Sequence, residues 1–215
     1  MSAIIFDLDG TLIDSAPDIR AATNRMLADE GKEPLDLKTI TSFIGNGLPK
    51  LVERAMAARG IDAAEHPRLS QVTLDYYNEA PSDLTELYPG VLDAIKAFRA
   101  AGHRIGLCTN KPEEPARAIL RDFGVEDLFD VVIGGDTLTV KKPDPAPLKA
   151  AFEALGQEGL YVGDSEIDAE TAERAGVPFA LFTEGYRKVP VEEMSAAVTF
   201  AKFEVLPDLA QPFLA

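Results

Sequence analysis

Ala3-Ile4-Ile5-Phe6-Asp7-Leu8-Asp9-Gly10-Thr11 decides how the rest of the chain is read. Its first four residues form an apolar run with the length and continuity of a strand buried on both faces. Asp7 and Asp9 follow at a spacing of two, so their side chains leave a strand in the same direction. Both carboxylates are thus expected at the carboxyl edge of a sheet, where open α/β sheets bind ligands. Gly10 lets the backbone turn sharply there. Two like charges this close are unfavourable unless a cation lies between them or one retains a proton. In a chain of this composition D-x-D-G-T arises by chance roughly 0.006 times, which argues against an incidental acidic loop.

Further short apolar runs repeat the strand pattern at residues 105–108, 131–133, 160–162 and 179–182. Segments of helical period lie between the later ones, marked by Ala116, Ile119, Leu120 and Phe123 and by Leu148, Ala151, Phe152 and Leu155. Gly124 and Gly156 supply the stops. Strand and helix alternating, with continuous rather than alternating apolar strands, predicts an α/β fold: a Rossmann-like, doubly wound parallel sheet with helices on both faces.

The first strand is followed differently. Roughly seventy residues pass before the next strand, with helical stretches at 17–29, 49–59 and 67–78, so an all-helical insertion is expected. This assigns residues 1–14 and 85–215 to an α/β core and residues 15–84 to an inserted α-helical cap domain. Hinges are expected near 14–17 and 78–84, where polar residues and prolines cluster.

The chain carries 215 residues and a formal charge of −15, with a pI near 4.5. Nucleic-acid and anionic-membrane binding are therefore not expected. The single cysteine, Cys108, permits no internal disulfide and suits a reducing compartment. The start of the chain lacks the basic and apolar pattern of a secretory signal, and no apolar run is long enough to span a bilayer. A cytoplasmic monomer or homodimer is the expectation. Cys108 itself reads as a packed thiol, and His66 and His103 have no evident catalytic partner.

The other strand ends also carry chemistry. The run 105–108 leads into Thr109-Asn110-Lys111, and the run 131–133 into Gly134-Gly135-Asp136-Thr137 and then Lys141-Lys142-Pro143-Asp144-Pro145. The run 160–162 leads into Gly163-Asp164-Ser165-Glu166-Ile167-Asp168. Each has an ordinary explanation: Thr and Asn begin loops, paired lysines are usually solvated, and Asp164 can cap a helix whose first turn is acidic. Capping accounts for one acid, whereas the surplus fits a hard cation such as Mg²⁺ with oxygen ligands.

In this order, Asp7-Leu8-Asp9-Gly10-Thr11, Thr109-Asn110, Lys142-Pro143 and Gly163-Asp164-Ser165-x-x-Asp168 resemble the four signature motifs of the haloacid dehalogenase superfamily of phosphotransferases. The helical insertion is similar to that superfamily's small cap. Phe43-Ile44-Gly45-Asn46-Gly47, the Gly134 to Pro145 region and Gly185-Tyr186 are most similar to phosphoglycolate phosphatases. Related sugar-phosphate phosphatases and a pyrophosphatase share much of this pattern.

The resemblance implies a phosphatase acting on a small phosphorylated metabolite, with Asp7 as nucleophile forming an aspartyl-phosphate and Asp9 as general acid and base. It implies Mg²⁺ on Asp7, Asp164 and the backbone carbonyl of Asp9, with Asp168 as ligand or water-holder. Thr109 and Lys142 would act on the phosphoryl group, Lys142 being preferred to Lys141 because it precedes Pro143. Asn110 would add a donor, and Gly45, Asn46 and Gly47 would contact the substrate, with Arg20, Lys50 or Arg54 supplying charge. A phosphomutase would keep the same catalytic residues. A phospho-accepting receiver module would lack the insertion, and a true dehalogenase would lack Asp9.

Overall fold

The computed structural model describes residues 1–80 and 82–214; Pro81, inside the second expected hinge, and Ala215 lie outside the described residues. Its strands are β1 (Ala3–Phe6), β2 (Ile13–Asp14), β3 (Glu86–Leu87), β4 (Arg104–Cys108), β5 (Val131–Ile133), β6 (Gly159–Gly163), β7 (Phe179–Phe182) and β8 (Val198–Phe200). Six of them form a parallel sheet in the order β5-β4-β1-β6-β7-β8, and β2 and β3 form a separate pair. The helices are α1 (Ala16–Asp29), α2 (Leu37–Thr41), α3 (Leu48–Arg59), α4 (His66–Glu79), α5 (Val91–Ala100), α6 (Glu113–Asp122), α7 (Ala146–Leu155), α8 (Glu166–Ala175) and α9 (Leu206–Ala210).

The continuous apolar strands follow from burial on both sides. On β1, Ile4 and Phe6 pack into one core with residues of α5, α6 and α9, while Ala3 and Ile5 pack into a second core with α7 and α8. The same alternation divides Leu160 and Val162 from Tyr161, and Ala180 and Phe182 from Phe179 and Leu181. Since side chains alternate across a strand, helices on both faces leave no position for a polar residue.

The sheet contains one strand more than the apolar runs indicate. β8 is short, lies at the edge, and has only Phe200 buried, so its pattern is too weak to read as a strand. No helix among the described residues is long and apolar enough to cross a membrane.

The described chain divides into two compact units, Met1–Asp14 with Leu87–Ala215, and Ser15–Glu86. The second is all-helical apart from the start of β3. Its α1 and α3 both pack on α4, and α2 packs on α1. Within it Asp18 is buried and accepts from the Leu84 N–H at 3.0 Å and from the Thr85 hydroxyl at 2.6 Å. The first-turn acid of α1 thus binds the returning end of the insertion.

In the first unit β1 is central, with β4 on one side and β6 on the other. Phe6 is in register with both Leu107 and Val162, so three strands end at one level. The chain winds outward through β4 and β5, then crosses to β6. Such a reversal opens a crevice at the carboxyl ends of the strands.

Candidate active site

Asp7 still belongs to the ladder, since its N–H donates to the Val162 carbonyl at 2.9 Å. Beyond it, Leu8 enters the core and the chain closes a tight loop in which the N–H groups of Thr11 and Leu12 donate back to Leu8. Gly10 sits there at φ +88°, and a Cβ on it would come within 2.5 Å of Asp164 Oδ2 and 2.7 Å of the Tyr186 ring. Both its left-handed backbone and the space around it therefore require glycine. A Cβ on Gly185 would likewise strike the Gly10 carbonyl and the Asp164 side chain.

Asp164 follows β6 and is 1% exposed. Its Oδ1 accepts from the Thr11 hydroxyl at 2.8 Å and its Oδ2 from the Tyr186 N–H at 2.5 Å. Asp164 does not cap α8. The N-cap is Ser165, whose N–H and hydroxyl both donate to Asp168 Oδ2, at 3.2 and 2.6 Å. A serine with an acid three residues on is a capping-box pattern, and its presence leaves Asp164 to the crevice.

Lys142 is 3% exposed, whereas Lys141 is on the surface. The Lys142 Nζ lies 2.8 Å from Asp7 Oδ1, 2.7 Å from Asp168 Oδ1 and 2.8 Å from the Tyr161 hydroxyl. An ammonium has three donors, and three acceptors surround this one. The Tyr161 hydroxyl in turn donates to Asp168 Oδ1 at 2.7 Å. Asp168 therefore accepts from Lys142 and Tyr161 on one oxygen and from Ser165 twice on the other. The Lys142–Pro143 peptide bond is cis.

Asp7, Asp164 and Asp168 are all buried and offer carboxylate oxygens within 4.8 Å of one another, an arrangement that can hold a metal ion. One lysine against three buried acids leaves a surplus of negative charge. Burial, the Asp168 carboxylate and, more weakly, Asp9 push Asp7 up to about 7, although Lys142 pulls the other way. Burial and the charges of Asp168 and Asp7 also push Asp164 well above the carboxylate range. Burial opposes charge on Asp168 as well, but Lys142 and the donors on it outweigh that and hold its carboxyl low. Burial disfavours the Lys142 ammonium, yet the Asp168 and Asp7 carboxylates raise its pKa. An all-oxygen donor set short of positive charge suits a hard divalent cation.

The remaining expected residues fall into two groups. Thr109 and Asn110 follow β4 and are buried; the Thr109 hydroxyl accepts from the Lys111 N–H at 3.2 Å, and Asn110 Nδ2 donates to the Lys142 carbonyl at 3.0 Å. Asn110 thus braces the backbone of Lys142. The Asp9 carboxylate is not among the three clustered acids: it pairs with Lys111, whose Nζ lies 2.9 and 3.1 Å from its two oxygens. Gly45, Asn46 and Gly47 belong to the helical unit, at the turn before α3. There Arg54 donates to the Phe43 carbonyl at 2.7 Å and to Asn46 Oδ1 at 2.9 Å, and Lys50 pairs with Glu53. Arg54 and Lys50, expected as charges for substrate, are engaged with their own neighbours, and Arg20 is exposed.

Thr11, Lys111, Tyr161 and the Tyr186 N–H complete the site; Thr11, Lys111 and Tyr186 stand in the quoted motifs without an assigned role, whereas Tyr161 lies outside them. Thr11 closes the D-x-D-G-T pattern and Lys111 directly follows Thr109-Asn110, so both stood within view. Tyr161 sits inside an apolar run and reads as core. Cys108 is a buried free thiol whose pKa burial pushes up to about 12, which disfavours the thiolate. His103 Nδ1 accepts from the Ser2 N–H at 3.2 Å, and His66 Nε2 contacts the Pro49 carbonyl at 2.7 Å.

Comparison with known proteins agrees with this geometry. Residues 4–182 match the family model described as haloacid dehalogenase-like hydrolase. The chain is 52% identical to a phosphoglycolate phosphatase of Cereibacter sphaeroides, with 100% of each chain covered. It is 43% identical to the phosphoglycolate phosphatase of Rhodobacter capsulatus, covering 97% of this chain and 96% of that one. A crystal structure described as a predicted phosphoglycolate phosphatase from Haemophilus somnus superposes with a TM-score of 0.90 at 30% identity, covering 97% of each chain. A parallel sheet that gathers acids and a lysine at one edge, a helical insertion after its first strand and relatives matched over their full length lead to one conclusion: the chain belongs to the haloacid dehalogenase-like hydrolases.

Proposed function

We propose that the chain is a Mg²⁺-dependent phosphoglycolate phosphatase working through an aspartyl-phosphate on Asp7. The buried cluster in which Lys142 reaches Asp7 at 2.8 Å beside Asp164 and Asp168 carries the reading of the chemistry. Full-length relatives named phosphoglycolate phosphatase support the choice of substrate.

In this reading Asp7 attacks phosphorus, and the electron pair of the breaking P–O ester bond goes to the leaving alkoxide, which Asp9 protonates. Asp9 then takes a proton from the water that attacks the aspartyl-phosphate, releasing phosphate and restoring Asp7. Lys142, fixed by Asp168 and Tyr161, keeps a positive charge against the nucleophile and the phosphoryl oxygens. Thr109 donates to a phosphoryl oxygen, and Asn110 holds the Lys142 backbone in place. Asp7, Asp164 and the backbone carbonyl of Asp9 are the groups we assign to Mg²⁺, with Asp168 beside them fixing Lys142 and holding water of the cation rather than binding it through a free oxygen. When bound, the cation offsets the repulsion between the Asp7 carboxylate and the substrate phosphate. We assign the Gly45-Asn46-Gly47 turn, braced by Arg54, to the leaving-group side of substrate choice. The buried free thiol of Cys108 fits a cytoplasmic setting.

A panel of phosphomonoesters, assayed with Mg²⁺ and with chelator, tests the proposal. 2-Phosphoglycolate is expected to be the preferred substrate, with turnover lost in chelator and in Asp7→Asn. A large preference for a hexose phosphate overturns the substrate, and full activity of Asp7→Asn overturns the mechanism.

A further inference from the structure

Among the described residues, Lys111 and Lys142 are the two buried basic side chains of a strongly acidic protein. Lys142 is fully engaged on the nucleophile side. Lys111 is 9% exposed and is fixed on Asp9, with its Nζ 2.9 and 3.1 Å from the two carboxylate oxygens. Burying an ammonium is costly, and pairing it in this way fixes its position. That position is chemically particular. The group that protonates a leaving oxygen must lie within hydrogen-bond reach of it, so a cation held on that group stands beside whatever the leaving oxygen is attached to.

Resting on the proposed phosphoglycolate phosphatase reading, we infer that Lys111 is the specificity-determining residue that binds the carboxylate of the leaving group. In 2-phosphoglycolate one methylene separates the ester oxygen from the carboxylate, which places the carboxylate oxygens roughly 3 Å from the ester oxygen by ordinary bond lengths. An ammonium about one hydrogen bond from Asp9 spans that separation. Its charge is then shared between Asp9 and the substrate, and a leaving group with no anion at this place loses the contact. The loop around Lys111 is well supported: its carbonyl accepts from the Gly135 N–H at 2.8 Å, and a Cβ on Gly135 would strike the Asn110 backbone. The position of Lys111 on this loop is therefore set by the packing of two strand ends.

The test is the ratio of kcat/KM for 2-phosphoglycolate to that for ethyl phosphate, in which a methyl group replaces the carboxylate. In Lys111→Met this ratio is expected to fall roughly 10- to 100-fold, the size of a lost charge-assisted hydrogen bond, with the larger part in KM. Lys111→Arg, which keeps a cation, is expected to recover part of it. A ratio in Lys111→Met within about twofold of the wild type, on the precision with which such energies are compared, overturns the inference even if both rates fall, because Lys111 then serves Asp9 alone. Should Lys111→Met fail to fold, Lys111→Gln is read by the same ratio. A wild-type ratio near one sinks the substrate reading and this inference together. A high wild-type ratio that survives in the variants sinks the inference alone.

Discussion

Lys142 and Asp168 form a 2.7 Å ion pair in which both partners have their hydrogen-bonding positions filled. The carboxylate accepts from Tyr161 and twice from Ser165 as well, and the ammonium also meets Asp7 and Tyr161. Asp168 is 0% exposed, so water cannot replace a lost partner. Its primary task in this arrangement is to hold Lys142 in place.

Asp168→Asn should therefore destabilise the protein. Breaking a buried, fully hydrogen-bonded pair costs up to about 3 to 5 kcal/mol. The cost here is expected below that range, because Asp7 still faces the Lys142 ammonium at 2.8 Å while the Ser165 and Tyr161 donors lose a charged acceptor. Urea unfolding in chelator isolates this from any metal effect. A midpoint equal to that of the wild type would mean that Lys142 is held without Asp168.

The acid surplus predicts an inverse pH dependence for the metal-free protein. Asp7 sits at about 7 when folded, through burial and the neighbouring Asp168 charge, against about 3.9 for an ordinary aspartate. Between those values the folded state binds more protons than the unfolded state, so stability falls as pH rises through this window and levels off above it. The raised Asp164 acts in the same direction. Asp168, held low, acts oppositely and withdraws its contribution only in acid. A bound cation replaces those protons, so excess Mg²⁺ should raise Tm more at pH 8 than at pH 5, by about 3 °C or more. Equal Mg²⁺ shifts in calorimetry at the two pH values would remove the cluster as the metal site.

Gly10→Ala should damage site and fold together. A left-handed backbone costs an alanine roughly 1 to 2 kcal/mol, and the new methyl would meet Asp164 Oδ2 at 2.5 Å. Displacing Asp164 should lower kcat/KM about 100-fold, as misplacement by 1 Å can do. Thermal unfolding and initial rates measured on one preparation check both effects. Wild-type rates would show that the loop can move without consequence for the chemistry.

The sequence by itself determined five of the six strands of the main sheet, the helical insertion and most of the acids. Burial on both faces forces continuous apolar runs, and spacing along one strand places Asp7 at the carboxyl edge, with Asp164 and Asp168 after another such run. Three-dimensional packing decided the partners. Thr11 meets Asp164 across 153 positions and Lys111 meets Asp9 across 102, contacts set by the order of strands in the sheet, which local periodicity does not encode. In the sequence Lys142 is preferred to its neighbour Lys141 only for its place before Pro143, and packing supplied the physical reason, Lys141 being exposed and Lys142 enclosed by Asp7, Asp168 and Tyr161. Tyr161 makes the same point: its ring belongs to the apolar core and its hydroxyl to the site, and a hydropathy pattern records only the ring.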